Sequence, residues 1–143
     1  MKCKVIIDEN CHERIEIYAR QNSPLIEDIK RLAEGYKTEL VGYKDKEILP
    51  LDLTEVVCIA VEGNKVYAIC EKEKYLLKER LYVIEEGLPD NFIKINQSCL
   101  ANIKKIKSFD ASISGTLKVR FQNGYTDYVS RRQLKAIKER LGI

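Results

Sequence analysis

The chain has 143 residues, 45% of them hydrophobic, with 25 Lys and Arg against 22 Asp and Glu and a single His. That length suits one to one and a half domains, and the apolar share is enough for a packed core. No apolar run is long enough to cross a bilayer, and the charged Met1-Lys-Cys-Lys-Val-Ile-Ile-Asp8 lacks the core of a signal peptide.

Five cysteines (3, 11, 58, 70 and 99) without a Cys-x-x-Cys pair fit a reducing cytoplasm better than a disulfide framework. With one His (His12) and no ligand spacing, a His/Cys zinc site is not expected, and no cofactor is. There is no nucleophile–base pair, phosphate-cradling glycine loop or metal cluster, so the chain does not read as an enzyme.

Residues 1–44 read as a small α/β extension. Lys4-Val-Ile-Ile7 has the composition of a short strand, and the alternation from His12 to Tyr18 suits a second. Asn22-Ser23-Pro24 starts a helix with a capping residue and a proline in the first turn. Leu25, Ile29, Leu32 and Ala33 share one face of that helix, and Gly35 ends it. The segment is a candidate for dimerisation or regulation.

Residues 45–143 read as a second domain. A strand at 38–43 closes the extension, and another is expected at 46–49 beyond a Lys44-Asp45 turn. Val56 to Val61 is a continuous apolar run of strand length, expected at the centre of the core. The Glu62-Gly-Asn-Lys65 turn leads back into Val66 to Cys70, and Tyr75 to Leu77 follows as another strand. A short helix over 78–86 points Leu81 and Ile84 inward.

Phe92 to Ile95 is a strand, Ser98 to Asn102 a turn or helical step with Asn102 outward, and Ile103 to Phe109 a returning strand. A polar turn is expected at Ser112 to Gly115. Leu117, Val119 and Phe121 alternate inward against Lys118 and Arg120. Asn123-Gly124 is the strongest hairpin signal in the chain. Ser130 caps a last helix whose core face is Leu134, Ile137 and Leu141. The fold class is therefore mainly β (α+β), of antiparallel strands with two or three short helices.

Charge divides the chain. From Asn91 to Ile143, 11 Lys and Arg stand against 3 acids, a surplus of +8; the whole chain is at +3, so residues 1–90 carry −5. A basic half of this kind suits a polyanion, and phosphate contacts supply most non-specific DNA affinity. Arg131 and Arg132 fall in the first turn of the last helix, where cations oppose the helix dipole. A chain that tolerates this has a use for the charge. Polar side chains at loop positions (Asn96, Gln97, Ser98) add groups suited to base edges.

Phe92-x-Lys-Ile-x-x-Ser-x-Leu-x-Asn102, the run Ile103 to Ile106, Asn123-Gly124, and Val129-Ser-Arg-Arg132 with Leu134, Lys135 and Leu141 together resemble the LytTR family of bacterial transcription regulators. The resemblance extends from roughly Leu40 to the C-terminus. It implies short antiparallel sheets that present loops to successive major grooves of promoter repeats. It assigns base or backbone contacts to Asn102, Arg132 and Arg131, a further contact to Lys65, and phosphate positioning to Ser98, Lys94 and Ser130, with Asn96 and Gln97 beside them. The chain departs from the family at Asn96-Gln97, where His-Arg is usual, and at Cys99, where an aromatic residue is usual; Cys99 is also its one redox candidate.

Residues 1–44 are too few for the phosphorylated receiver domain that often accompanies this family, so Asp8 is not read as a phospho-acceptor. The expected protein is a stand-alone, cytoplasmic, homodimeric regulator of double-stranded promoter DNA, switched by abundance, dimerisation or a protein partner, including one at the membrane. The alternatives are an RNA-binding β module, with Tyr125 and Tyr128 as stacking platforms, and a protein-interaction module.

Overall fold

The computed structural model describes residues 2–12, 14–35, 39–112 and 115–142. The chain divides into two compact units, Met1–Gly35 and Tyr36–Ile143.

The first unit holds helix α1, Pro24–Glu34. It begins where the sequence directs: Ser23 is extended, its hydroxyl accepts from Ile26 N at 3.3 Å, and Pro24 opens the first turn. The strands expected at 4–7 and 12–18 do not form among the described residues, although Glu13 lies outside them. Neither segment has a neighbour to pair with, and a strand without a ladder leaves its backbone groups to water. Of the four apolar residues on one helix face, Ile29 and Ala33 line a groove with Ile15, Ile17 and Ile26, while Leu25 and Leu32 are 51% and 69% exposed.

Among the described residues, the second unit has ten strands in two antiparallel sheets. The larger has the order β2-β1-β5-β4-β3-β7-β6. Its strands are β1 (Glu39–Lys44), β2 (Glu47–Asp52), β3 (Val56–Glu62), β4 (Lys65–Cys70), β5 (Lys74–Leu77), β6 (Phe92–Asn96) and β7 (Cys99–Asn102). The smaller has the order β10-β9-β8, from β8 (Ile106–Asp110), β9 (Leu117–Phe121) and β10 (Thr126–Val129). Two helices complete the unit, α2 (Leu81–Glu86) and α3 (Arg131–Leu141). The turn expected at Ser112 to Gly115 includes residues 113 and 114, which lie outside the described residues.

β3 explains why an apolar run replaces alternation. Val56 to Ala60 are all buried; past a register shift between Val56 and Cys58, Val57, Cys58 and Ala60 enter one cluster and Val56 and Ile59 the other, so both faces of this strand are covered. Cys58 and Ala60 pack in one cluster with Ile95 of β6 and with Leu117, Val119, Phe121, Val129 and Ile137 from the smaller sheet and α3. Val56 and Ile59 pack in the other with Leu81, Ile84 and Leu88 of the α2 region and Leu40 and Leu51 of β1 and β2. Where β1 crosses beneath Tyr75, only glycine fits: a Cβ on Gly42 would lie 2.6 Å from Leu51 Cδ1 and 3.0 Å from Tyr75 Cβ. Pro50, which cannot donate to a ladder, sits on edge strand β2.

The segment Ser98 to Asn102 is a correction. Only Ser98 belongs to a turn; Cys99–Asn102 is strand β7, whose four residues are all buried. β7 lies between β3 and β6, with Ile59 opposite Leu100 and Phe92 opposite Asn102. Asn102 does not point outward. It is 1% exposed; its Nδ2 donates to Val56 O at 2.8 Å, and its Oδ1 accepts from Asn91 Nδ2 at 2.9 Å and Lys104 N at 3.1 Å. It caps the 3-10 turn Ile103–Lys105 that carries the chain into β8.

Those bonds bridge three segments inside the core, and breaking them strands buried partners. Asn102→Ala is expected to lower stability by about 2–4 kcal/mol in chemical denaturation, since unsatisfied buried groups cost about 1–3 kcal/mol each. A loss under 0.5 kcal/mol would show that the network is dispensable.

Candidate nucleic-acid interface

Three connections meet at one end of the larger sheet. The β3–β4 hairpin turns through Gly63 at φ +62° and Asn64 before Lys65 opens β4 opposite Glu62. The β6–β7 connection turns through Gln97 and Ser98. The third is the passage from β10 through Ser130 into α3. Backbone bonds join them: Val61 N donates to Ser98 O at 2.8 Å, and Ser130 N donates to Ile95 O at 2.8 Å.

Asn96 locks two of the connections. Its Oδ1 accepts from Ser98 N at 2.8 Å, which shapes the turn. Its Nδ2 donates to Tyr128 O at 2.8 Å and Asp127 Oδ1 at 3.0 Å, which ties that turn to the approach of α3. Asn96 is thus a positioning residue, with its amide occupied inside the protein. Gln97 and Ser98 beside it are exposed.

At the helix, Ser130 has extended backbone and its Oγ accepts from Gln133 N at 3.3 Å. The cap leaves its hydroxyl proton free to donate outward. Arg131 and Arg132 follow on the first turn, both exposed, with the helix held down by buried Ile137 and by Leu134 and Leu141. Gly142 closes the other end in the left-handed region at φ 72°.

The sheet end therefore gathers Lys65, Gln97, Ser98, Ser130, Arg131 and Arg132. Asn96 supports them, and Lys94 lies half-buried on adjacent β6. The acids near this end are engaged: Glu62 bonds Lys74 at 2.7 Å, and Asp127 accepts from Asn96 and from Tyr128 N. Lys118, which the sequence analysis does not assign to the site, lies nearby. Its ammonium lies 5.7 Å from the Tyr128 ring centre, on β9 opposite β10. The outward phase of the Lys118 and Arg120 positions was the signal that could have found it.

Asn102 stands apart. It ends β7 four residues beyond the turn, roughly 13 Å along the strand, and faces the core. Lys104, Lys105 and Lys107 follow it, and Gln122 bonds the carbonyls of Lys104 and Lys105. The basic surplus is thus shared between two regions rather than gathered on one.

Cys99 is fully buried beneath the turn. A hydrogen bond with Cys58 and then burial hold its thiol far above the usual cysteine range. Burial likewise pushes Cys70 up to about 11. Only thiolates are strongly nucleophilic. Iodoacetamide at neutral pH is expected to label exposed Cys3 and Cys11 in the native chain and to spare Cys58 and Cys99 until denaturant is added. Labelling of Cys99 in the native state, read by mass spectrometry, would return it to redox candidacy.

The clamp yields a second expectation. Asn96→Ala should reduce stability by about 1–2 kcal/mol, the worth of its lost hydrogen bonds. It should also weaken duplex binding without removing a cation. Unchanged binding would separate the turn from the interface.

Residues 46–142 match the family described as LytTr DNA-binding domain. A transcriptional regulator of Staphylococcus aureus strain NCTC 8325, described as HTH-type and uncharacterized, is 34% identical over 146 residues, spanning all of this chain and 99% of the relative. A similarly described regulator of strain MSSA476 is 39% identical over 104 residues, 73% of this chain and 71% of its own. Among solved structures, a LytTr DNA-binding domain from Bacillus cereus superposes with a TM-score of 0.71, covering 75% of this chain and 99% of that one at 23% identity. Among the described residues, five strands separate α2 from α3.

Proposed function

The chain belongs to the LytTR DNA-binding domain family, and we propose that it regulates transcription by reading promoter DNA through the three joined connections at the sheet end. The observation that carries this reading is the convergence there of exposed cations and amides on a rigid frame. Arg131 and Arg132 stand at a capped helix start, the Gln97-Ser98 turn is pinned by Asn96, and Lys65 is on the neighbouring hairpin.

In this reading Arg132 contacts a base edge, as arginine does bidentately at guanine, and Gln97 is suited to adenine. Lys65, Arg131, Lys94, Ser98 and Ser130 hold phosphates, which orient the protein without specifying sequence. Two loops and a helix start enter the major groove, and no recognition helix lies along it. Asn102 is left out of the contact set because its polar atoms serve the core. Two copies on a promoter repeat double the contact, and abundance, pairing or a protein partner sets occupancy in the cytoplasm. DNA reading of this kind asks no catalysis of the chain.

The test is a salt titration of binding to duplex DNA from the chain's own upstream region, beside a scrambled duplex and single-stranded RNA. Three or four phosphate contacts per copy give a log–log salt slope of about −3 to −4. Arg132→Ala is expected to cost about 1–3 kcal/mol on the preferred duplex and little on the scrambled one, whereas Lys65→Ala should weaken both and flatten the slope by about 1. Equal losses on both duplexes would take base reading away from Arg132. Tighter binding to single-stranded RNA would favour the RNA module.

A further inference from the structure

The first unit carries apolar surface that its own helix does not cover. Val5, Ile6 and Ile7 are 76%, 73% and 86% exposed in succession. They form the centre of Lys2-Cys-Lys-Val-Ile-Ile-Asp8, a β-branched run bounded by a turn in which Asp8 O accepts from Cys11 N at 3.3 Å and Asp8 Oδ1 from Asn10 N at 3.0 Å. Composition and boundary are those of a strand, yet no ladder forms along residues 2–8. Surface of this kind on a soluble protein marks an interface.

We infer that residues 2–8 form a β-strand that pairs antiparallel with the same residues of a second copy, in the register that sets Ile6 against Ile6 and Lys4 against Asp8.

Charge selects both the occupant and the direction. With Ile6 at the twofold axis, Val5 faces the partner copy's Ile7 and Ile7 its Val5, so every aliphatic meets an aliphatic. Lys4 faces Asp8 twice, once on each side, and opposite charges directly across a ladder are favourable. A parallel in-register pair would instead set Lys4 against Lys4 and Asp8 against Asp8. A shift of one residue would set Lys4 against Ile7 or Val5 against Asp8. The segment is thus complementary to itself in one arrangement. A twofold pair of this type is self-complementary by construction and closes after two copies.

The inference supplies a surface for the two-copy reading above, but its test needs no DNA, so either idea can fail alone. Sedimentation equilibrium of the full chain is expected to show a dimer. Lys4→Glu, which turns two attractions into two repulsions, should weaken it at least tenfold, with the far-UV spectrum and thermal midpoint of the second unit retained. Cross-linking tests the register. In a Cys3→Ser, Cys11→Ser background, Ile6→Cys is expected to give a disulfide-linked dimer under mild oxidation, since directly opposed strand residues lie within disulfide reach. Ile7→Cys, which faces Val5 of the partner copy, should cross-link far more slowly. A monomer at tens of micromolar, a dimer indifferent to Lys4→Glu, or equal cross-linking at positions 6 and 7 would overturn the proposal.

Discussion

The burial of β3 on both faces is the constraint on which the second unit depends. Five consecutive residues, Val56 to Ala60, have no solvent side, so each face needs its own cover. The smaller sheet and α3 cover one face; α2, β1 and β2 cover the other. Burying a Val, Leu or Ile side chain contributes about 1.5–3 kcal/mol, so this strand anchors far more than its length. It also fixes where the chain can surface. β4 and β7 flank β3, and the connections at its far end emerge side by side.

Polar groups add to packing in holding that end together. The backbone bonds Val61–Ser98 and Ser130–Ile95, and the forked amide of Asn96, tie a hairpin, a turn and a helix start into one body. A site held this way loses little conformational freedom on meeting a ligand. The arginines at the start of α3 run against the helix dipole, a cost of a few tenths of a kcal/mol to about 1 kcal/mol per charge when exposed. A phosphate at the same place would reverse the sign: helix N-terminus and guanidinium would both attract it. The frame is thus mildly destabilised alone and stabilised by an anion.

Much of this was legible in the sequence. The unbroken apolar run at 56–61, the alternation of Leu117, Val119 and Phe121, the caps at Ser23 and Ser130, and Asn123-Gly124 each obey a local rule, and each element forms. The misreadings share a cause. Residues 98–102 look like a polar turn because Ser98 and Asn102 bracket them, but β3 and β6 recruit β7 between them, and that partnership is set by distant residues. The polar type of Asn102 favours an outward side chain; a buried amide is tolerable here only because Val56, Asn91 and Lys104 satisfy it. The segments at 4–7 and 12–18 have strand composition without an intrachain partner, and composition cannot supply one. Asn123-Gly124 marked its hairpin, but the loop is wider than a two-residue turn, with Phe121 N bonded to Tyr125 O at 2.9 Å. Asn123 also tethers the smaller sheet to Cys70 O at 2.9 Å.

The most direct test of the central claim is amide shift mapping of the isotope-labelled chain as duplex DNA is added at low salt. The account expects the largest shifts at 62–65, 96–98 and 128–133, with β1, β2 and α2 unmoved. Shifts gathered instead on Lys104, Lys105 and Lys107, with the joined connections silent, would contradict it and move the DNA to the opposite end of β7.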